Sequence, residues 1–460
     1  MKIVPKSLFT ASVLIAVMMI TGISCRQKHA PLNTGDSATA LVKHPEWSKN
    51  LSIYEINVRQ FTPEGTFAAL EAHLPRLKDL GTDILWIMPV HPIGQLNRKG
   101  TLGSYYSVMD YKAVNPEYGT DQDFKHFVKK AHELGLYVII DWVANHSAWD
   151  NKLVKEHPDW YAKDSTGKML SPFDWTDVVK FNYEVPEMRA YMLDALKYWV
   201  VNFDIDGYRC DVAGEVPDDF WNKARVELDS IKPVFMLAEG EKPGHHTAFD
   251  MTYSWEFHHV MNKIHKGEFT ANDIGKYLKK NDSAYAFDAY RMNFITNHDE
   301  NSWNGTEFER LGEGVEAFYV LTVSVPGMPL IYTGQESAMN KRLEFFEKDP
   351  VEWGDYKMTG FYKTLLSLKK NNPALFNGSF GGTWARVNTG SDDKIFAILR
   401  EKDNNRVFSV INLSAAPVTA DLMGEVFAGD YTELFTGSKS TLKAGDKIEL
   451  PAWGYKVFYK

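Results

Sequence analysis

Between Leu51 and Tyr332 short apolar runs alternate with amphipathic segments, and this rhythm restricts the fold more than any other feature of the chain. Ile53–Val58 reads as a strand. Phe67–Leu80 reads as a helix, with Leu70, Leu74, Leu77 and Leu80 on one stripe. Asp83–Met88 is a second strand stopped by Pro89, Asp123–Leu134 a helix, and Leu136–Asp141 a third strand. Further apolar runs end near Asp211, Glu239, Trp255, Asn297 and Tyr332. Eight strands, each followed by a helix, predict an α/β fold, a (β/α)8 TIM barrel.

The intervals agree with one βα unit per roughly 30 residues. Asp211 to Glu239 is 28 residues, one unit, and Glu239 to Asp299 is 60, two units. Asp141 to Asp211 is 70, which leaves an excess of about 40. The excess, residues 147–182, lacks regular periodicity and carries Trp149, Trp160, Tyr161 and Trp175. It predicts a loop-like subdomain inserted after the third strand and overhanging the barrel mouth. The barrel domain spans 46–375, closing with a helix over Gly360–Lys370. Residues 376–460 change to short alternating runs such as Lys394–Leu399 and Arg406–Ile411, spaced by Gly, Asn and Asp; this predicts a C-terminal all-β sandwich.

The N-terminus has a different character. Lys2 and Lys6 precede an apolar run from Leu8 to Ile20 and a small-residue exit at Gly22, Ser24 and Cys25, the pattern of a signal peptide over 1–24. Gly22-Ile23-Ser24-Cys25 resembles a bacterial lipobox, which implies a lipid anchor on Cys25 and a place in the cell envelope, or secretion if Cys25 is not lipidated. Residues 25–45 are polar and aperiodic, a tether. The only other cysteine is Cys210, so no disulfide framework exists. Loss of Lys2 and Lys6 with the signal takes the net charge from −9 to −11. An acidic surface argues against a nucleic-acid partner and fits a neutral substrate.

Barrel enzymes carry their chemistry at the C-terminal ends of strands. Asp141, Asp211, Glu239 and Asp299 each follow an apolar strand, in LYVIID, DGYRCD, VFMLAE and FITNHD. One such Asp is ordinarily a helix cap. Four at this spacing, interleaved with Arg209, His146 and His298, point to catalysis. Adjacent strands can set one ionised and one protonated carboxyl side by side, as nucleophilic and acid–base catalysis on one bond requires. Arg209, two residues before Asp211, shares its strand face and is expected to keep it ionised. Glu241 shares parity with Glu239 and Glu300 adjoins Asp299, so spacing alone leaves those choices open. Asp204 and Asp206, at the start of the fourth strand, read as structural, and Cys210 as an inert thiol facing outward.

The motifs DWVANH (Asp141–His146), GYRCD (Gly207–Asp211), MLAEGE (Met236–Glu241) and TNHDEN (Thr296–Asn301) resemble, in order, four signatures of the α-amylase family of glycoside hydrolases. GTDILWIMPV, YYSVMDYKAVNPEYGT and GMPLIYTGQE fit its flanking motifs, so the resemblance covers Gly81 to Glu336. It implies Asp211 as nucleophile, Glu239 as acid and then base, and Asp299 as the residue that holds and distorts the sugar. It also implies substrate contacts from Asp141, Arg209, His146 and His298, with Tyr106 as an aromatic platform. Trp142, Trp149 and Trp175 divide evenly between core and substrate contact. The implied substrate is an α-glucan oligosaccharide, most readily α-1,4-linked and starch-derived, and no cofactor is required. Asn145 matches one ligand of the family's calcium site, but the loop Gln60–Thr66 lacks an Asp-rich run, so an obligatory metal is not expected.

Two departures bear on specificity. Val212-Ala213-Gly214-Glu215 stands where many α-amylases carry a Lys-His pair, and Lys180 stands where the fifth signature has Asp. The nearest alternative is a transglycosylase on the same machinery; a glycan-binding protein without catalysis would be expected to lack the carboxylates. A metal-dependent barrel hydrolase is disfavoured because His245-His246 is adjacent rather than alternating.

Overall fold

The computed structural model describes residues 41–460, which form one compact unit. The signal peptide, Cys25 and most of the tether lie outside the described residues. Eight parallel strands close into a barrel: β1 (Ile53–Ile56), β2 (Ile84–Ile87), β3 (Tyr137–Trp142), β4 (Gly207–Cys210), β5 (Phe235–Ala238), β6 (Met251–Tyr253), β7 (Tyr290–Asn293) and β8 (Met328–Tyr332). Neighbours in the barrel are neighbours in sequence, and β8 closes on β1 through Ile53–Leu330 and Tyr54–Ile331.

Strand parity divides the side chains into two layers. Ile53, Ile84, Trp86, Ile139, Leu237, Met251, Tyr253 and Met292 fill the barrel interior. Tyr54, Leu85, Ile140, Tyr208 and Cys210 belong to the outer layer packed with the helices, as the parity of Cys210 predicts. Gly207 opens β4 at φ +148, where a Cβ would lie 1.8 Å from the Phe235 carbonyl oxygen. Only glycine fits that approach of β4 to β5.

Three elements depart from the sequence reading. The helix expected over 67–80 is two, Phe67–Glu71 and Leu74–Leu80, because Pro75 has no N–H and its ring excludes the Glu71 carbonyl. The Leu70, Leu74, Leu77, Leu80 stripe is nonetheless wholly buried. The insert is more ordered than a loop: His146–Ala148 and Val178–Lys180 pair antiparallel and enclose a short helix, Lys152–Glu156. The strand expected to run into Asp299 stops at Asn293, opposite Pro329, which cannot donate to the ladder. Asp299 therefore lies in a helical turn that begins at His298 and continues as a π-helix over Glu300–Asn304.

Beyond the helix Thr359–Asn371 a six-stranded antiparallel sheet and the pair Val418–Asp421 and Lys447–Leu450 enclose a second core that includes Ile395, Phe408, Val410, Leu422 and Phe458.

Candidate active site

The C-terminal ends of β1 to β5 and the turn after β7 bring the predicted carboxylates together around two cations, Arg209 and His298. Asp141 on β3 lies opposite Arg209 on β4, and Arg209 opposite Leu237 on β5. The Arg209 side chain is wholly buried, and its Nη1 donates to Asp141 Oδ1 and Oδ2 at 2.9 and 3.1 Å and to Asp211 Oδ1 at 3.0 Å. Its Nη2 lies 2.9 Å from Glu239 Oε1, and its Nε donates to the Tyr253 hydroxyl at 3.1 Å. Asp211 and Glu239 thus bracket a single guanidinium.

This geometry adds to the expectation for Arg209. It does not serve Asp211 alone; three carboxylates share it. Burial raises the Asp211 carboxyl well above the ordinary range, the charges of Glu239 and Asp141 add to that, and Arg209 opposes. Asp141 is also raised by burial, against Arg209. Two cations, Arg209 and His298, face five carboxyl groups, so the cluster favours holding a proton at neutral pH, and its titration belongs to the group rather than to one residue.

Each member is differently engaged. Asp141 is saturated: besides Arg209 it accepts from Trp86 Nε1 at 3.1 Å and from the Tyr106 hydroxyl at 3.0 Å. Glu239 Oε2 accepts the Val212 backbone N–H at 2.7 Å. Val212 holds the left-handed conformation (φ 36°, ψ 49°), which is strained for a β-branched residue by about 1–3 kcal/mol. The strain turns the N–H after Asp211 toward the neighbouring strand's carboxylate. Asp299 keeps a side chain 34 % exposed, with Oδ2 3.3 Å from His298 Nε2.

His298 is tied at both nitrogens. Nδ1 lies 2.5 Å from Glu55 Oε1 and Nε2 2.8 Å from the Tyr106 hydroxyl. The Tyr106 proton is committed to Asp141, so that hydroxyl can only accept from His298. Burial pushes His298 down, but the Asp299 and Glu55 carboxylates outweigh it and bring the imidazole up to about 9. The Tyr106 ring stacks on His298 at 5.5 Å. His146 sits at the first residue of the insert's sheet, buried, with its ring edge-on to Trp175 at 5.4 Å. Burial lowers it to about 3, so it is neutral.

The two residues that spacing left open have partners outside the Arg209 cluster. Glu241 pairs with Arg291 at 2.6 Å, and Glu300 accepts from Asn304 at 2.9 Å. Asp206 accepts from Lys232 and from the Val138 N–H at the opposite end of the barrel. The sequence reading missed Glu55, Trp86, Tyr253 and the Val212 N–H. Glu55 carried a signal: a carboxylate of inward parity within an otherwise apolar strand. Asn145 holds its amide 3.3 Å from His146 Nδ1, and among the described residues no three carboxylate, histidine or cysteine groups converge as metal ligands.

Residues 33–353 match the family described as alpha amylase, catalytic domain, and residues 387–457 match maltogenic amylase, C-terminal domain. Alpha-amylase MalA of Haloarcula japonica is 28 % identical over 411 residues, 85 % of this chain and 59 % of that protein, so the chain spans about three fifths of that relative. The maltogenic alpha-amylase of Bacillus acidopullulyticus is 24 % identical over 90 % of this chain and 78 % of its own. The crystal structure of a noncanonic maltogenic alpha-amylase from Thermotoga neapolitana superposes with a TM-score of 0.82 at 31 % identity, covering 89 % of this chain and 98 % of that one. An alpha-amylase from Lactobacillus plantarum gives 0.80 at 32 %, covering 89 % and 99 %. Barrel, carboxylate cluster and both matched domains agree: this chain belongs to the α-amylase family of glycoside hydrolases.

Proposed function

We propose that the chain is a retaining hydrolase of α-glucosidic bonds, most readily α-1,4 bonds of starch-derived malto-oligosaccharides. The observation that carries this reading is the single guanidinium of Arg209 bracketed by Asp211 and Glu239. Asp211 has the aligned hydrogen bond from Arg209, so with a sugar bound it is the carboxylate that stays ionised and attacks the anomeric carbon. Glu239 gives its proton to the departing glycosidic oxygen, and the bond from that oxygen to the anomeric carbon breaks as the Asp211 ester forms. A water molecule then loses a proton to Glu239 and attacks the anomeric carbon, which breaks its bond to Asp211 and returns the α-anomer. Asp141, saturated by protein donors, orients Arg209 and Tyr106 and takes no part in bond making. The exposed face of Asp299 is available to sugar hydroxyls beside the Tyr106 ring, and His298, held by Glu55 and Tyr106, keeps its positive charge next to it.

The test is a proton NMR time course with maltoheptaose, followed for Asp211→Asn and Glu239→Gln. New α-anomer with shortening chains is expected for the parent, and kcat lower by at least about a thousandfold in folded variants. Near-normal turnover in either variant overturns the assignment. Lengthened products from a pure short substrate would instead indicate transfer to a sugar acceptor.

We also infer export with lipid attachment at Cys25. The support is the basic, apolar and small-residue order of residues 1–25. Cys25→Ala is expected to move the protein from the membrane fraction to the soluble fraction; unchanged fractionation would discard the anchor.

A further inference from the structure

The π-helical turn that begins one residue after Asp299 carries Trp303 to the surface, where it is 53 % exposed. An exposed indole beside a catalytic cluster is informative where an exposed Leu would not be. The turn bearing it is fixed. Asn301 Oδ1 accepts the Leu343 N–H at 2.9 Å, its Nδ2 donates to the Lys341 carbonyl at 3.0 Å, and Ser302 Oγ donates to the Leu343 carbonyl at 2.9 Å.

The rings continue inward from there. Trp303 lies 5.2 Å from Phe345 and 5.8 Å from Phe346. Phe345 lies 6.2 Å from Tyr106, with the two ring planes only 13° apart. Trp303 is thus two ring steps out from the platform under the cleavage site. Beside it opens a groove of about 310 Å³, walled by Trp303, Phe345 and Phe346, with Arg342 and Glu344 among its polar lining. An apolar face flanked by charged hydrogen-bonding groups suits a pyranose, which presents a C–H face and a rim of hydroxyls. The ladder starts from the Tyr106 and His298 side. Glu239, which protonates the leaving sugar, follows β5 and is held by the Val212 N–H that follows β4. Tyr106 follows β2 and His298 follows β7, at the two ends of the opposite arc of the closed barrel.

We propose that Trp303 and the groove beside it bind a glucosyl unit remote from the cleavage point on the non-reducing side, and so set the chain length the enzyme prefers. This rests on the hydrolase reading above and names its substrate more narrowly: linear α-glucans long enough to reach the second aromatic step.

The experiment compares Trp303→Ala and Trp303→Phe with the parent on maltotriose and on maltoheptaose. The kcat/KM ratio of maltoheptaose to maltotriose is expected to fall about tenfold in Trp303→Ala, mostly through KM, and to recover largely in Trp303→Phe. Equal loss on both sugars would make Trp303 a structural prop and overturn the proposal, as would an unchanged ratio. A second measurement separates the two readings: maltoheptaose titrations of Asp211→Asn with and without Trp303→Ala. Tight binding that Trp303→Ala weakens upholds the subsite even if the parent's products are not those expected. Binding indifferent to Trp303 overturns the subsite and leaves the hydrolase reading standing. A parent that neither binds nor cleaves maltoheptaose overturns both.

Discussion

At the scale of single residues the site is a problem in charge balance, and Glu55 and Arg209 are where it is set. Arg209 is shared among Asp141, Asp211 and Glu239, while Glu55 balances His298 from below at 2.5 Å. Glu55 Oε2 has no hydrogen-bond partner among the described residues, so its carboxylate is spent almost wholly on the imidazole. Glu55 is a positioning residue. Glu55→Gln removes the largest hydrogen-bonded support of the imidazolium, so His298 should lose its proton at lower pH. The alkaline limb of the kcat/KM profile is then expected to move down by about one pH unit or more. A loss of equal size at every pH would mean that Glu55 only fills space. The same imidazole bears on stability. Its folded value, about 9, exceeds its ordinary 6.5, so its contribution is complete below about pH 6.5 and is lost as pH rises through about 9. Denaturant midpoints measured from pH 6 to 10 should fall across that window, and less so in His298→Asn.

At the scale of elements, β4 and the turn that leaves it do most of the positioning. The strand is only four residues, Gly207–Cys210, yet it delivers Arg209 into the barrel, buries Cys210 under the helices and presents Asp211 at its exit. Both of its ends depend on unusual backbone. At the start, Gly207 allows the chain to approach Phe235 more closely than any side chain permits. Gly207→Ala is expected to cost more than about 4 kcal/mol, read as loss of soluble protein or a collapsed urea midpoint. A variant as stable as the parent would show that β4 and β5 can separate without harm. At the exit, the left-handed Val212 stores strain that the Glu239 hydrogen bond helps to hold.

For the whole molecule, the question is whether the barrel can stand without the sandwich. Every residue of the helix Val315–Ser324 except Glu316 is buried, so it has no solvent face to spare. Part of its cover is the sandwich: Ser324 Oγ meets Ser409 Oγ at 2.8 Å, and Arg400 Nη1 donates to the Ser324 carbonyl. The buried Lys369 ammonium is satisfied by the carbonyls of Gly327 and Leu375 and by Asn377 Oδ1, so the connection between the two parts is built into the barrel's last helix. Residues 41–375 alone should aggregate, and residues 41–460 should melt in one calorimetric transition. Two resolved transitions, or a soluble and active barrel fragment, would show the two parts to be independent.

Periodicity settled the barrel, because an alternation of buried strands and striped helices has few other ways to bury its apolar faces; Leu70, Leu74, Leu77 and Leu80 are where that pattern placed them. Strand parity and order likewise brought Asp141, Arg209, Asp211 and Glu239 to one end, since these features are local and repeat. What local pattern could not contain is whatever depends on the facing strand. Pro329 ends β7 early and moves Asp299 into a helical turn, and Pro75 divides a helix whose stripe runs on unbroken. Glu55 joins the site across 243 positions of sequence, and Arg209 is divided among carboxylates from three different strands. The sequence alone determined which residues the strands carry and which way they face. Only closure of the barrel decided how many carboxylates one guanidinium must satisfy, because charge balance is a property of the enclosed space and not of any segment that lines it.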